Sequence, residues 1–389
     1  MKEIISTFKE GYKNRDISKL DEFMDKLFDR KETVLCVGTC QEELCLGYDE
    51  VREIFESDWE YWGDVSVKEE EAVVTGDENT KLIYLPSTVK YNFTTNEDKF
   101  ENYLESVNEY FKEGTDESKK PDKEKLMEIN WTLSHFLMNR DKPTRQYLWD
   151  LGISLVIVRK EGRWIIKYMQ FSVPVRGFLP DVRYISKDYD NEDFHRIKDY
   201  SLKNQCIPDA ETRKFLDDFN ENYLKEDKNA FIEKYISKED FFAVNTDGTI
   251  YKGINGAEAF LENNRNYFDT VEIDWSASYI EGNDGEQWVV AYGNFEKNLS
   301  EEKAIENARD KIKDILNSPM AAKDKLFNVR RSVADMLRGT SMGDKYVWPI
   351  RFEGLITREN GEIKFQYMQF SFPFQYYLEG KTEAAVRID

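Results

Sequence analysis

The chain contains 389 residues and carries a formal net charge of −21 at pH 7, with an acidic excess in both halves. Neither half has the basic surface that binds phosphate groups, so the charge argues against a nucleic-acid partner and against an anionic membrane surface. With 40% hydrophobic and 14% aromatic residues, the composition predicts a globular protein large enough for two domains.

The amino terminus and the cysteines bear on location and on metal binding. The sequence turns polar directly after Met1, without the apolar segment of a secretion signal. Cys36, Cys40 and Cys45 form a cluster, but their spacing is not that of a zinc site and no histidine lies nearby. We therefore expect a cytoplasmic protein with reduced thiols, no metal and no cofactor.

A repeated motif indicates that the chain is a duplication. Residues 168–174 read YMQFSVP and residues 367–373 read YMQFSFP, an offset of 199 residues. A Tyr-x-Trp pattern precedes both motifs at the same offset and ends at Trp149 and at Trp348. Further matches follow in order toward the amino terminus with a slowly drifting offset, as small loop deletions in two copies of one fold would produce.

Each copy is predicted to begin with helices and to end with strands. An opening helix, at about 2–15 and 210–226, precedes a short second helix, a strand pair and a third helix with apolar residues at helical spacing. Longer strands and two inserted helices come next. A closing hairpin then turns at Glu161-Gly162 in the first copy and at Asn360-Gly361 in the second.

This order of elements predicts an α+β fold that is present twice. We assign residues 1–175 to the first domain and residues 209–389 to the second. Residues 176–208 form the linker, which is rich in aromatic residues and is therefore expected to pack across both domains.

Several short motifs recur at equivalent places in the two copies. Val37-Gly38-Thr39 lies on the first strand pair, Gly47 leads into the third helix, and Trp164-Ile165-Ile166 runs into the closing motif; Val244-Asn245-Thr246 and Gly253 match them in the second copy. On these motifs the chain resembles the SnoaL-like branch of the nuclear transport factor 2-like superfamily in both halves. The resemblance implies two tandem cone-shaped domains, each a curved antiparallel sheet wrapped on helices with a two-helix insertion. It also implies that the sheets pair, so that a monomeric chain would act as an intramolecular pseudo-dimer.

The resemblance leaves the function open, because the superfamily includes isomerases, cyclases and dehydratases as well as non-catalytic binding modules. Tyr12 and Tyr223 stand where it implies a first-helix tyrosine, but the first hairpin strand offers no carboxylate base in either copy. Cys36 lies on that strand and is interpreted as a small core thiol, since no cation lies near it in sequence. We therefore assign no catalytic residue.

The closing strand of each copy carries an amide and a hydroxyl group on one face. Gln170 and Ser172, with Gln369 and Ser371 in the second copy, alternate with apolar residues that point to the other face. These polar groups either line a pocket or satisfy each other or the linker backbone. A glutamine does not titrate near neutral pH as a histidine would, which favours binding over proton transfer.

Aromatic side chains complete the set of candidates, because core residues at the open end of a cone also line its pocket. The predicted ligand-binding residues are Tyr12, Cys36, Trp59, Trp62, Trp149, Gln170, Ser172, Tyr223, Tyr267, Trp348, Gln369 and Ser371. The preferred hypothesis is a non-catalytic module that binds an apolar small molecule or a protein partner. The alternative is a ketosteroid isomerase-like or polyketide cyclase-like enzyme that is active in one copy. A cone filled by its own aromatic side chains would instead indicate a structural role.

Overall fold

The computed structural model describes residues 1–94, 97–138, 144–176, 179–180, 182–225, 227–283, 285–374 and 385–387. The helices of the first half are α1 (Lys2–Asn14), α2 (Leu20–Leu27), α3 (Tyr48–Tyr61), α4 (Glu97–Glu109), α5 (Asp116–Lys119) and α6 (Asp122–Met138). The linker contains α7 (Glu192–Asn204). The helices of the second half are α8 (Ala210–Asn222), α9 (Lys228–Tyr235), α10 (Gly253–Tyr267), α11 (Glu301–Asn317) and α12 (Ala322–Ser341).

The strands form two separate sheets. The first half contributes β1 (Leu35–Val37), β2 (Leu44–Leu46), β3 (Asp64–Val67), β4 (Val73–Thr75), β5 (Thr80–Thr94), β6 (Thr144–Lys160) and β7 (Arg163–Ser172). The remaining strands are β8 (Phe242–Val244), β9 (Ile250–Lys252), β10 (Thr270–Gly282), β11 (Glu286–Asn298), β12 (Lys345–Glu359), β13 (Glu362–Ser371) and β14 (Ala385–Arg387).

The two sheets repeat one topology. The first has the order β2-β1-β7-β6-β5-β3, with β4 beside β5, and the second has the order β10-β11-β12-β13-β8-β9. In both, the short first strand lies parallel to the closing strand, as β1 does to β7 and β8 to β13, and the longer strands pair antiparallel. The predicted α+β duplication is thereby confirmed.

Local sequence signals set several of these boundaries. Ser300 caps α11 by accepting a hydrogen bond from the backbone N–H of Lys303. Asn360 and Gly361 both have positive φ, at 54° and 85°, as the predicted two-residue hairpin turn requires. The linker helix α7 was not predicted; its Ile197 packs into the core between the sheets, and its Arg196 donates to the backbone oxygen of Leu44 at 2.7 Å.

The two sheets pack against each other through one face each. Alternation along β7 sends Met169 and Phe171 into the core of the first half and Tyr168 toward the second sheet. Residues buried between the sheets come from both halves and include Leu35, Val37, Tyr84, Tyr168, Val244, Tyr279, Trp288 and Tyr367. The helices cover the opposite face of each sheet, so each half has its own core and shares a third one.

The segment that follows each closing strand crosses to the other half. The backbone N–H of Val175 donates to the carbonyl of Thr246 in the second half, at 2.9 Å. The backbone N–H of Phe374 donates to the carbonyl of Thr39 in the first half, also at 2.9 Å. Each half therefore supplies one hydrophobic residue to the mouth of the other half.

The carboxyl-terminal strand continues this crossing. β14 pairs antiparallel with residues 147–149 of β6, in the first sheet. Residues 385–387, which the sequence analysis places in the second domain, therefore belong to the sheet of the first half.

The inserted helices of the two halves contact each other, since α6 packs along α12. Trp131 on α6 donates its indole N–H to Asp335 on α12 at 2.6 Å, and Arg338 donates to Glu128 at 2.8 Å. Among the residues described, no helix combines the length and the apolar character needed to cross a membrane.

Candidate functional site

The second half contains a cavity of about 920 Å³ between its sheet, α10 and the inserted helices. This volume lies within the range of small-molecule sites in proteins. The apolar part of its wall comprises Trp131, Val175, Leu179, Phe268, Leu299, Ala304, Met336, Trp348 and Phe372. Because Trp131 and Val175 belong to the first half, the cavity is complete only when both halves are folded together.

A tyrosine and an amide lie at the cavity wall where α8 meets α10. Asn264, one turn before the end of α10, lines the cavity and is fully buried. Its amide nitrogen donates to the hydroxyl of Tyr223 at 2.8 Å. Burial raises the pKa of Tyr223, so this hydroxyl stays protonated at neutral pH. Neither group of this pair changes charge near neutral pH.

Charged side chains are also part of the cavity wall. Arg183 lies over the ring of Tyr346 and donates to the backbone oxygens of Gly339 and Gly343, at 2.5 and 2.7 Å. Burial lowers the pKa of Arg183 to about 10, which still leaves it charged at neutral pH. Arg183 therefore connects the linker to the end of α12 through hydrogen bonds on one side of the cavity.

Among the residues that the structure describes, the corresponding space in the first half is nearly filled. Trp62, Trp149, Val89 and Phe374 line a cavity of only about 10 Å³, close to the volume of one water molecule. Phe374, from the segment after β13, is 6% exposed and packs into the core of the first half. Its counterpart in the second half is the smaller Val175, which leaves that cavity open.

The first half has a titratable pair where the second half has an amide. Tyr12 donates to Asp58 on α3 at 2.7 Å. Burial raises the pKa of Asp58 to about 7, although the hydrogen bond from Tyr12 favours the carboxylate. Asp58 and Asn264 are equivalent, since each lies one turn before the tyrosine that ends its helix. The carboxyl group therefore stands in the filled half and the amide in the open half.

The structure distributes the predicted site residues over four places, of which the sheet interface is described below. Tyr267 and Trp348 line the large cavity, and Tyr223 lies behind Asn264. Trp62 and Trp149 line the small one. Tyr12, Cys36 and Trp59 are packed in the core of the first half, where burial raises the pKa of the Cys36 thiol well above its usual range.

The four polar residues of the closing strands lie in neither cavity. Gln170 donates to Ser371 and Gln369 donates to Ser172, both at 3.2 Å and both across the sheet interface. Tyr168 and Tyr367 each donate to the glutamine two residues further on. The expectation that these residues line a pocket needs correction: they pair with each other, in a reciprocal pattern typical of a two-fold interface.

The sheet interface also holds a buried carboxyl group, Glu353 on β12. Burial raises its pKa to about 8, and its backbone pairs with that of Gln369. Its equivalent in the first half is Ser154, which donates to Gln369 at 2.6 Å. Glu353 is therefore a protonated group in a packed interface, away from the large cavity.

The sequence analysis missed Asp58, Asn264, Val175 and Phe374. Matching the ends of the third helix in the two copies would have paired Asp58 with Asn264, because a tyrosine follows three positions later in both. Val175 and Phe374 follow the repeated motif directly, but their crossing to the opposite half leaves no signal in the sequence. Within the part of the chain that the structure describes, no cluster of three or more His, Cys, Asp or Glu side chains fits a metal ion.

Comparison with solved structures finds NTF2-like proteins that each align with about half of this chain. One is an NTF2-like protein of unknown function from Pseudomonas putida KT2440, with 10% identity over 49% of this chain and 92% of that chain and a TM-score of 0.27. A putative dehydratase from the NTF2-like family of Streptomyces avermitilis has 10% identity over 44% of this chain and 92% of that chain, with a TM-score of 0.28. A putative scytalone dehydratase from Novosphingobium aromaticivorans DSM 12444 has 8% identity over 45% of this chain and 84% of that chain, with a TM-score of 0.27.

At such low identities and TM-scores these matches give no information on activity. No protein-family model matches the chain, and no curated protein matches it significantly.

Proposed function

We propose that the protein binds a mostly apolar small molecule in the cavity of its second half and does not transform it. The observation that carries the proposal is the contrast between the two halves: about 920 Å³ is open in the second and about 10 Å³ in the first. The wall exposes more apolar than polar surface, as is usual for a small-molecule site, and it also carries charged side chains such as Asp335 and Arg338.

The wall of the cavity also contains Asp247, Asp310, Asp314 and Asp335, and the proposal of binding without catalysis rests on the position equivalent to Asp58. General acid–base catalysis needs a group that titrates near the working pH and reaches the substrate. In the open half, the position equivalent to Asp58 is Asn264, which cannot exchange a proton at neutral pH. Tyr223, its partner, is held neutral by burial.

The test uses the full-length protein and a neutral fluorescent probe, N-phenyl-1-naphthylamine. We expect the probe to bind with a stoichiometry of one per chain. Ala304→Trp, which adds a large side chain to the cavity wall, is expected to weaken binding at least about tenfold, because the added ring occupies the space. Leu104→Trp on the exposed surface of α4 is the matched control and leaves the affinity unchanged. Equal binding by both variants would contradict the proposal.

The alternative, an enzyme active in the first half, has one observation in its favour. Tyr12 and Asp58 form a hydrogen-bonded pair whose carboxyl group has a pKa of about 7, suited to proton transfer at neutral pH. Against it, Phe374 fills the space that a substrate needs. Analysis of the small molecules extracted from the purified protein distinguishes the two functions. We expect a bound molecule to be recovered unchanged after incubation with the wild-type protein. A reaction product that forms with the wild type and not with Asp58→Asn would favour the enzyme.

A further inference from the structure

Three buried polar atoms on side chains of the large cavity wall have no hydrogen-bond partner among the described residues. They are Nε of Arg183, the amide oxygen of Asn264 and the indole nitrogen of Trp348, and the last two belong to residues that are 0% exposed. Buried polar groups in folded proteins nearly always have a partner. Trp59, Trp275 and Trp288 also have unpaired indole nitrogens, but none of these three lines the cavity.

The unpaired atoms of Asn264 and Trp348 belong to neighbouring parts of the wall. Phe268 follows the end of α10 and donates its backbone N–H to the carbonyl of Asn264 at 2.9 Å. The ring of Phe268 packs against Trp348 with centroids 6.3 Å apart, and stacks on Phe295 at 3.8 Å. Phe295 on β11 is in turn the cross-strand partner of Trp348 on β12. Asn264 and Trp348 thus both contact Phe268, the first through its backbone and the second through its ring.

The chemistry of the two atoms selects the polar group of a ligand. The amide oxygen accepts a hydrogen bond and the indole N–H donates one. A hydroxyl group can do both at once, whereas a ketone only accepts and leaves the amide oxygen of Asn264 unpaired. A hydrocarbon leaves both atoms unpaired. A carboxylate would be attracted by Arg183 in the wall, but it cannot donate a hydrogen bond and leaves the amide oxygen of Asn264 unpaired.

We propose that the ligand of this cavity is an apolar molecule that bears a hydroxyl group, which donates to Asn264 and accepts from Trp348. This inference rests on the proposed binding function and adds the chemical class of the ligand. Asn264 and Trp348 would recognise the hydroxyl group, and the apolar wall would supply most of the affinity.

The experiment compares 2-naphthol, 2-methylnaphthalene and 2-tetralone, measured by displacement of N-phenyl-1-naphthylamine from the full-length protein. These probes share a bicyclic frame and differ in the polar group. We expect the wild type to bind 2-naphthol about tenfold more tightly than either of the others, since each of them leaves a buried polar atom unpaired. Trp348→Phe and Asn264→Leu are each expected to reduce this preference and to leave 2-methylnaphthalene binding nearly unchanged.

Trp149→Phe is the matched control, because Trp149 holds the equivalent position in the filled half. It is expected to retain the full preference for 2-naphthol. Equal affinity for all three probes, or a preference for 2-tetralone, would overturn the hydroxyl assignment while the binding function stands. Failure of the fluorescent probe and of all three compounds to bind would overturn the binding function as well.

Discussion

The two halves of this protein share one fold and differ in what fills the space between sheet and helices. The first half has a titratable pair, Tyr12 and Asp58, but its space is closed by Phe374. The second half has an open cavity, but an amide, Asn264, replaces the carboxyl group. The open cavity therefore lies in the second copy and the titratable carboxyl group in the first. This separation is why we favour binding over catalysis.

One difference between the halves lies in a pair of crossing residues. Val175 and Phe374 occupy equivalent places after the two closing strands, and each donates its backbone N–H to the opposite half. A phenyl ring fills the mouth of the first half, while an isopropyl group leaves the mouth of the second half open. The four predictions below test the difference between the halves and are ordered from the largest expected effect to the smallest.

Phe374→Ala is expected to have the largest effect, because it removes a buried ring from the core of the first half. Deletion of a buried phenylalanine costs about 4 kcal/mol of stability, which urea unfolding measures directly. The space that opens is about the size of a phenyl ring and should therefore bind benzene. A loss of stability no greater than that of a surface substitution would show that Phe374 does not close the first half.

Asp58→Asn gives the first half the amide of the second half and removes a pH dependence. The folded-state pKa of Asp58, about 7, lies above that of an exposed aspartate, so the folded protein retains a proton that the unfolded chain releases. Wild-type stability therefore falls as the pH rises from about 4 to about 7, by about 4 kcal/mol from this group. Above that range the variant should be more stable than the wild type by this amount, and near pH 4 it should be equal.

The reciprocal change, Asn264→Asp, is the control for this prediction. It should introduce the same fall in stability with rising pH into the second half. Urea midpoints measured between acidic and mildly basic pH report both variants. A difference between Asp58→Asn and wild type that does not vary with pH would contradict the raised pKa.

Val175→Phe copies the closing residue of the first half into the second. The larger ring is expected to enter the cavity and to weaken binding of N-phenyl-1-naphthylamine about tenfold, with little change in stability because the cavity has room for the ring. Fluorescence titration gives the affinity, and Val175→Leu serves as the control with a smaller change in volume. An unchanged affinity would show that Val175 does not limit the cavity.

The smallest effect concerns the interface in which the halves meet. Gln369 bonds with Ser172, Ser154 and Tyr367, whereas Gln170 bonds with Ser371 and Tyr168. Gln369→Ala should therefore destabilise the protein by about 1 kcal/mol more than Gln170→Ala, because it leaves one more buried group unpaired. Equal losses in urea unfolding would mean that the two-fold pattern is energetically symmetric.

Local signals in the sequence predicted much of the fold. The hairpin turn at Asn360-Gly361 requires positive φ at both residues, which these residue types adopt readily. The alternation along β7 correctly separated Gln170 from Met169, because successive side chains point to opposite faces of a strand. Such features depend on neighbours in the chain and can therefore be predicted from it.

Most of the candidate site could not be predicted in this way. Alternation showed that Gln170 and Ser172 share a face, but only the packing of one sheet on the other placed that face in the interface instead of a pocket. Likewise, the sequence contains Val175 and Phe374 but gives no indication that each reaches the opposite half. These contacts join residues far apart in the chain, and no local pattern encodes them.

The sequence by itself determined the duplication, the α+β class and the polar face of each closing strand, since these follow from repeated motifs and short-range periodicity. Only the tertiary structure decided which half is open, because a cavity is the space that distant segments leave unfilled. Here each space is bordered by a side chain from the other half, an isopropyl group at Val175 for the large cavity and a phenyl ring at Phe374 for the small one.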